Sequence, residues 1–301
     1  MSRRNRKQRH EGAGAPGDGD DMNTRAPSHP GVNTPAASRP AINDVRIAVE
    51  GEIYGKLLRP DTPGHGGGLL FVHGWGASQR QDIGKAKRLR TRGFTCLTFN
   101  LRGHARTRAQ IETVTRAQNL ADVAAAYDLL ADTEGVNEGR IGIVASSYGA
   151  YLAVLLTSDR RVHALALQAP ALYKDDDFDR PKRELNLDPD LGAYRRRQLG
   201  PDDNRALRAA AAFRGDVLLI ESENDTVIPS PVIANYREAF RSAQSLRHTV
   251  IPEADHALGD ARARDAYIGL LVDWLPTTIA LRRPTRQRVM TVESRRAGRR
   301  E

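Results

Sequence analysis

The segment Ile141-Gly142-Ile143-Val144-Ala145-Ser146-Ser147-Tyr148-Gly149-Ala150-Tyr151-Leu152 decides how this chain is read. A short apolar run stops at a serine among small residues, and a helix-forming run follows at once. That pattern describes a strand turning sharply into a helix and leaving one hydroxyl exposed at the turn, a nucleophile elbow. A strained turn has no room for a large side chain two positions before or after the exposed hydroxyl. Ser147 has Ala145 and Gly149 at those places, whereas Ser146 would have the bulkier Val144 and Tyr148. Ser147 is therefore the candidate nucleophile. An ordinary strand, turn and helix of an α/β domain would read similarly, so the argument depends on what the rest of the chain supplies, and in what order.

Outward from the elbow, short apolar runs alternate with helical periodicity. On the N-terminal side, Val45–Glu50 and Glu52–Arg59 alternate apolar and polar residues and read as a pair of leading antiparallel strands. Strands are expected at Leu69–His73 and Phe94–Asn100, with helices over Ser78–Arg92 and Arg116–Asp132. On the C-terminal side, strands are expected at Val162–Gln168, Val217–Glu221 and His248–Ile251. Helices fill Tyr148–Thr157, Pro231–Ser242 and Ala261–Leu275. Such alternation implies a mostly parallel sheet covered by helices on both faces, with ligands at the carboxyl ends of the strands. The connection after Gln168 is too long for a simple crossover, and residues 172–207 are expected to form a small cap insertion over the site.

The chain has 301 residues, 40% of them hydrophobic, enough for one large core over 41–281. Its formal charge of +9 is confined to the ends. Residues 1–40 hold seven Arg or Lys against four Asp or Glu, and residues 282–301 hold eight Arg against two Glu, while the body between carries equal numbers of each sign. No basic face is implied, so a specific nucleic-acid partner is not expected. Both ends are polar and charged and are expected to be disordered tails. No apolar run approaches the ~20 residues of a membrane span. Arg3-Arg4 is followed by Gly, Pro and Asp rather than an apolar stretch, so a cytoplasmic location is expected. The lone Cys96 sits in an apolar run and reads as a buried thiol.

A serine hydroxyl is a poor nucleophile at neutral pH; it needs a base, and the base needs an orienting partner. With the nucleophile on a middle strand, the acid should follow a later strand and the histidine a later one still. Asp225 stands just past Val217-Leu218-Leu219-Ile220, and His256 occupies the equivalent loop after the next strand. Glu221 and Glu223 compete with Asp225 but sit closer to the strand, and Asp255 adjoins His256 and should point away from it. The oxyanion formed during acyl transfer needs donors. These are expected from the backbone N–H of Tyr148 and of Trp75, within His73-Gly74-Trp75-Gly76. His73 reads as a structural donor holding its loop, and His104 as a packing or pocket-lining residue. His163 and His248 fall at strand starts and need no function. No clustered His, Cys and carboxylate set has metal-ligand spacing and no phosphate-binding glycine loop is present, so neither metal nor cofactor is expected.

Together, His73-Gly74-Trp75-Gly76, Leu101-Arg102-Gly103-His104, Ala145-Ser146-Ser147-Tyr148-Gly149, Asp225-x-x-Ile228-Pro229 and Asp255-His256 resemble the α/β-hydrolase family over roughly residues 45–275. The elbow and the Ala150-Tyr151-Leu152-Ala153 that follows look most like the dienelactone-hydrolase, serine-aminopeptidase and acyl-peptidase branches. The resemblance implies Ser147 as nucleophile, His256 as general base and then acid, and Asp225 as its orienting partner. It also implies a small-molecule acyl substrate: an ester, thioester or small amide, or alternatively a short or acylated peptide. A non-catalytic binding protein on the same fold is a third reading. The chain departs from the family pattern at Ala145 for the usual Gly, at Ala150 for a common second Gly, and at Ser222 where a Gly often stands. Specificity is expected to lie in the 172–207 insertion and around Trp75.

Overall fold

In the computed structural model, which describes residues 41–280 apart from 63 and 177, the apolar runs become the strands of one sheet. The expectations for 1–40 and 282–301 lie outside the described residues. The two leading strands, β1 (Ile42–Val49) and β2 (Gly51–Leu58), pair antiparallel along their full length. Strand β2 then pairs antiparallel with β4 (Thr95–Phe99). All remaining pairings are parallel, among β3 (Gly68–Val72), β4, β5 (Ile141–Ser146), β6 (Ala164–Gln168), β7 (Asp216–Ser222) and β8 (Ser245–Ile251). The sheet order is β1-β2-β4-β3-β5-β6-β7-β8.

Every residue of β3, β4 and β6 is buried, which is why these segments read as unbroken apolar runs. Strand β8 is an edge strand and starts three residues earlier than expected. Ser245, Leu246 and Arg247 read as loop by composition, yet they pair with Asp216, Val217 and Leu218 of β7. An edge strand has one open flank, and polar residues are tolerated there. His248 is therefore within a strand rather than at its start.

Helices cover both faces. On one face lie α2 (Arg116–Ala131), α3 (Ser147–Leu156), α6 (Arg205–Ala212) and α7 (Ser230–Ala239), packing Val123, Tyr127, Tyr151, Leu207 and Val232 against Leu70, Ile143 and Leu219 of the sheet. On the other lie α1 (Arg80–Arg90) and α8 (Ala261–Leu275), packing Ala86, Leu89, Tyr267 and Leu271 against Leu69, Phe71 and Val144. The alternate assignment of Leu69, Leu70 and Phe71 to opposite faces is the period-2 geometry of a strand buried on both sides. Helix α2 starts at a reciprocal cap in which the Thr115 hydroxyl accepts from the Gln118 N–H and the Gln118 side chain accepts from the Thr115 N–H.

The chain leaves β3 for β4 on one side and later returns to place β5 on the other. The carboxyl ends of β3 and β5 thus flank a topological switch point, where ligands bind in open α/β sheets. Between β6 and β7 the long connection forms two short helices, α4 (Lys182–Leu185) and α5 (Leu191–Arg195), before α6.

Candidate active site

Strand β5 ends at Ser146, and α3 begins at Ser147 with a φ of +51°. A non-glycine residue is strained in this region by roughly 1–2 kcal/mol, so the surrounding fold must hold it there. Two close approaches do so. A Cβ on Gly149 would lie 2.4 Å from the Val72 carbonyl oxygen and 2.5 Å from that of His73, so only glycine lets α3 seat against the end of β3. A Cβ on Gly74 would meet the Ser147 Cβ at 3.3 Å, which places the loop after β3 directly beside the serine. Ala145, standing where glycine is usual, is buried in β5 without displacing the turn.

Asp225 and His256 come to the same sheet edge from the loops after β7 and β8. His256 Nδ1 lies 2.7 Å from Asp225 Oδ2, and its Nε2 lies 3.0 Å from Ser147 Oγ. The other carboxylate oxygen, Asp225 Oδ1, accepts the backbone N–H groups of Val227 and Ile228, each at 2.8 Å. Burial alone would push the Asp225 pKa up. The hydrogen bond from His256 and those from the two N–H groups outweigh it and hold the carboxyl below its ordinary value. The competitors have other partners. Glu221 accepts from Ser230 Oγ and pairs with His248, Glu223 accepts the Glu253 N–H, and Asp255 is exposed and caps the Gly259 N–H. Ser222 accepts a bond from Gln168 Nε2, which also donates to the His256 carbonyl oxygen. A hydroxyl at that departure from the family pattern thus helps fix the histidine loop.

The Trp75 and Tyr148 N–H groups have no acceptor among the described residues, in contrast to the Gly76 N–H, which donates to His104 Nε2 at 3.0 Å. His104 Nδ1 contacts the Arg102 carbonyl oxygen at 3.1 Å, so Nδ1 carries the proton. By the same logic His73 accepts the Leu101 N–H at Nε2 and donates from Nδ1 to the Gly74 carbonyl oxygen. Both histidines therefore hold the Gly74-Trp75-Gly76 loop in their neutral form. Burial pushes both pKa values down, that of His104 to about 4. The Arg102 loop is tied by the buried Asp122, which accepts from both the Arg102 N–H and Nε, and Asn119 links Asp122 to the Tyr148 hydroxyl.

The Trp75 ring lies edge-on to Tyr148 at 5.6 Å, and Lys182 of α4 places its ammonium 4.8 Å from the Trp75 ring, 5.0 Å from Tyr148 and 4.6 Å from Tyr173. Arg116 and Arg195 also approach Tyr173, at 5.9 and 4.9 Å, and donate to the carbonyl oxygens of Lys174, Asp176 and Leu172. These cations stitch the insertion to the body from beneath. Nothing in the sequence singles them out, because a Lys or Arg in an acidic, polar stretch reads as solvated.

A cavity of about 550 Å³ opens at Ser147 and His256. Gln81 and Lys85 of α1 and Arg264, Tyr267 and Ile268 of α8 also line it. None of the described residues of the insertion at 172–207, expected to set specificity, lines this cavity. Lys182 of the insertion packs instead against Trp75 and Tyr148, and the two helices of the opposite face bound the cavity. A second cavity of similar volume runs along β1 and β2 and contains neither Ser147 nor His256. Among the described residues, no group of three His, Cys, Asp or Glu side chains is arranged to hold a metal ion. No helix of the described residues is long and apolar enough to cross a membrane.

The sequence profile of the alpha/beta hydrolase family matches residues 69–274. The chain belongs to the alpha/beta hydrolase family. A search of curated proteins finds no match. Among solved structures, a dienelactone hydrolase from Anabaena variabilis is 20% identical with a TM-score of 0.56, over 80% of this chain and 100% of that one. An esterase from Pyrococcus furiosus is 18% identical with a TM-score of 0.58, over 79% and 91%. An acylaminoacyl peptidase from Pyrococcus horikoshii is 16% identical with a TM-score of 0.60, over 80% of this chain and 42% of that one. At such identities the likeness is one of fold. The turn from β5 into α3 lies beside the switch point, where open α/β sheets bind their ligands.

Proposed function

We propose that this alpha/beta hydrolase is a serine hydrolase of carboxylic esters, thioesters or small amides. The observation that carries the reading is a single imidazole joining the Asp225 carboxylate on one side to the strained Ser147 hydroxyl on the other. Ser147 Oγ attacks the acyl carbonyl while His256 Nε2 takes its proton, and Asp225 holds the Nδ1–H tautomer and stabilises the imidazolium that forms. The carbonyl oxygen, now negative, is held by the Trp75 N–H of the loop after β3 and the Tyr148 N–H at the N-terminus of α3. His256 returns the proton to the leaving group as the acyl–oxygen, acyl–sulfur or acyl–nitrogen bond breaks. Water, activated by the same imidazole, then releases the acyl group from Ser147.

Peptidase action on free-amine substrates would call for carboxylates in the cavity, and no Asp or Glu of the described residues lines it. Fluorophosphonate labelling of wild type and Ser147→Ala, with a p-nitrophenyl ester assay on the same samples, tests the proposal. Labelling is expected only in wild type, with turnover lower by roughly 10⁴–10⁶-fold in the variant. Folded wild type that neither labels nor cleaves the ester would overturn it in favour of a non-catalytic binding protein.

A further inference from the structure

Helices α1 and α8 bring hydrogen-bond donors that the fold leaves unspent to the lining of the cavity at Ser147. Lys85 lies 2.6 Å from Asp82 Oδ1, with its side chain 12% exposed, and that contact uses one of its three N–H bonds. Asp82 is itself buried behind the lysine and does not line the cavity. Tyr267, on α8, sets its ring 5.1 Å from the Lys85 ammonium, and its hydroxyl and Asp82 Oδ2, both buried, have no hydrogen-bond partner among the described residues. Arg264 donates through Nη1 to the carbonyl oxygens of Leu258 and Gly259, which anchors the guanidinium at the rim while Nε and Nη2 stay unused. Gln81 lines the same cavity.

Lys85 and Arg264 line one space, and no carboxylate of the described residues lines it. A lysine ammonium largely withdrawn from water is costly unless a carboxylate, a ligand or solvent answers each of its N–H bonds. The charges decide which ligand. Asp82 offsets one of the two cations, leaving a single net positive charge, which suits a monoanion rather than a doubly charged phosphate. The planar guanidinium edge matches a carboxylate. Leu258, Ile268 and Trp75 supply apolar surface in the same cavity as Ser147, enough to hold a short hydrocarbon chain.

Resting on the serine hydrolase reading, we infer that the preferred substrate is an acyl compound whose chain ends in a carboxylate, seated on Lys85 and Arg264 while its ester carbonyl lies at Ser147. A substrate of this class is the monoester or monothioester of a short dicarboxylic acid. A free amine at the same place would meet two cations.

The test compares kcat/KM for p-nitrophenyl hydrogen glutarate with that for p-nitrophenyl valerate, whose acyl chain has the same length and no charge. Wild type is expected to favour the glutarate ester by about tenfold or more, the scale of one or two charge-assisted hydrogen bonds. Arg264→Gln, at an exposed rim position, should shrink that ratio severalfold, mainly through KM. Lys85→Met serves less well, because it strands Asp82. Cleavage of both esters at equal rates by wild type, or a ratio untouched by Arg264→Gln, overturns the carboxylate site and leaves the hydrolase reading standing. Failure to cleave either ester overturns the hydrolase reading and the carboxylate site with it.

Discussion

Asp225 and Glu221 are four residues apart and chemically alike, yet only Asp225 contacts His256. The difference is reach. Glu221 is still within β7 and faces His248 across the β7–β8 ladder, whereas Asp225 lies past the strand end, where the backbone N–H groups of Val227 and Ile228 clamp its carboxylate. An amide oxygen can still accept both N–H bonds, so Asp225→Asn should fold normally. Its NH₂ cannot accept from His256 Nδ1–H, and the imidazole is left in the wrong tautomer. Turnover of a p-nitrophenyl ester is expected to fall by about 10³–10⁴-fold with little change in melting temperature. Glu221→Gln, touching neither Ser147 nor His256, should leave turnover near that of wild type. Equal losses in the two variants would count against Asp225 as the orienting acid.

At the scale of elements, the site depends on how closely α3 seats against the end of β3. Gly149 is the third residue of α3, where alanine would by itself favour the helix by up to ~1 kcal/mol. The added Cβ would lie 2.4 Å and 2.5 Å from two backbone carbonyl oxygens, atoms that cannot swing aside as a side chain would. The clash outweighs the propensity, and Gly149→Ala is expected to cost ~1–3 kcal/mol in urea denaturation. Since those carbonyls belong to Val72 and His73, which lead into the Trp75 loop, turnover should fall as well. A Gly149→Ala protein of wild-type stability would show that α3 can slide relative to β3. Ser147, Gly149 and the apolar run before them stand within a dozen residues, so the turn from β5 into α3 was legible in the sequence, while its seating on β3 was not. Nor was the seating of α4. Lys182 is buried among Trp75, Tyr148 and Tyr173, residues brought together from three separate segments.

Across the whole molecule, pH acts on stability through groups the fold keeps in one protonation state. His73 and His104 are buried neutral, with pKa values pushed below the ordinary 6.5, that of His104 to about 4. Below pH 6.5 the unfolded chain takes up protons on these histidines that the folded chain refuses, so stability declines as pH falls toward 4. For His104 the full effect is about 3 kcal/mol. Asp225, held below its usual pKa, acts with the same sign: its contribution is present above the ordinary carboxylate range and is lost as pH falls through its lower folded value. The urea midpoint should therefore drop steadily from pH 6.5 to 4.5, before most carboxylates titrate. A flat profile over that window would contradict the neutral-histidine assignment of the Trp75 loop.

What the sequence determined by itself was whatever a few neighbouring residues encode. Unbroken apolar runs marked strands buried on both faces, small residues marked the elbow at Ser147, and the order of loops marked Asp225 and His256 as candidates. An edge strand beginning with Ser245, Leu246 and Arg247 carried a weaker signal, because one open flank relaxes the demand for apolar residues. Only the tertiary structure decided that His256 reaches Ser147 across 109 positions, that Lys182 of the 172–207 insertion packs against Trp75 rather than lining the cavity, and that Lys85 and Arg264 line one cavity from α1 and α8. A cation on an amphipathic helix looks solvated in any window of sequence. Whether it meets water or a cavity depends on which distant helix packs beside it.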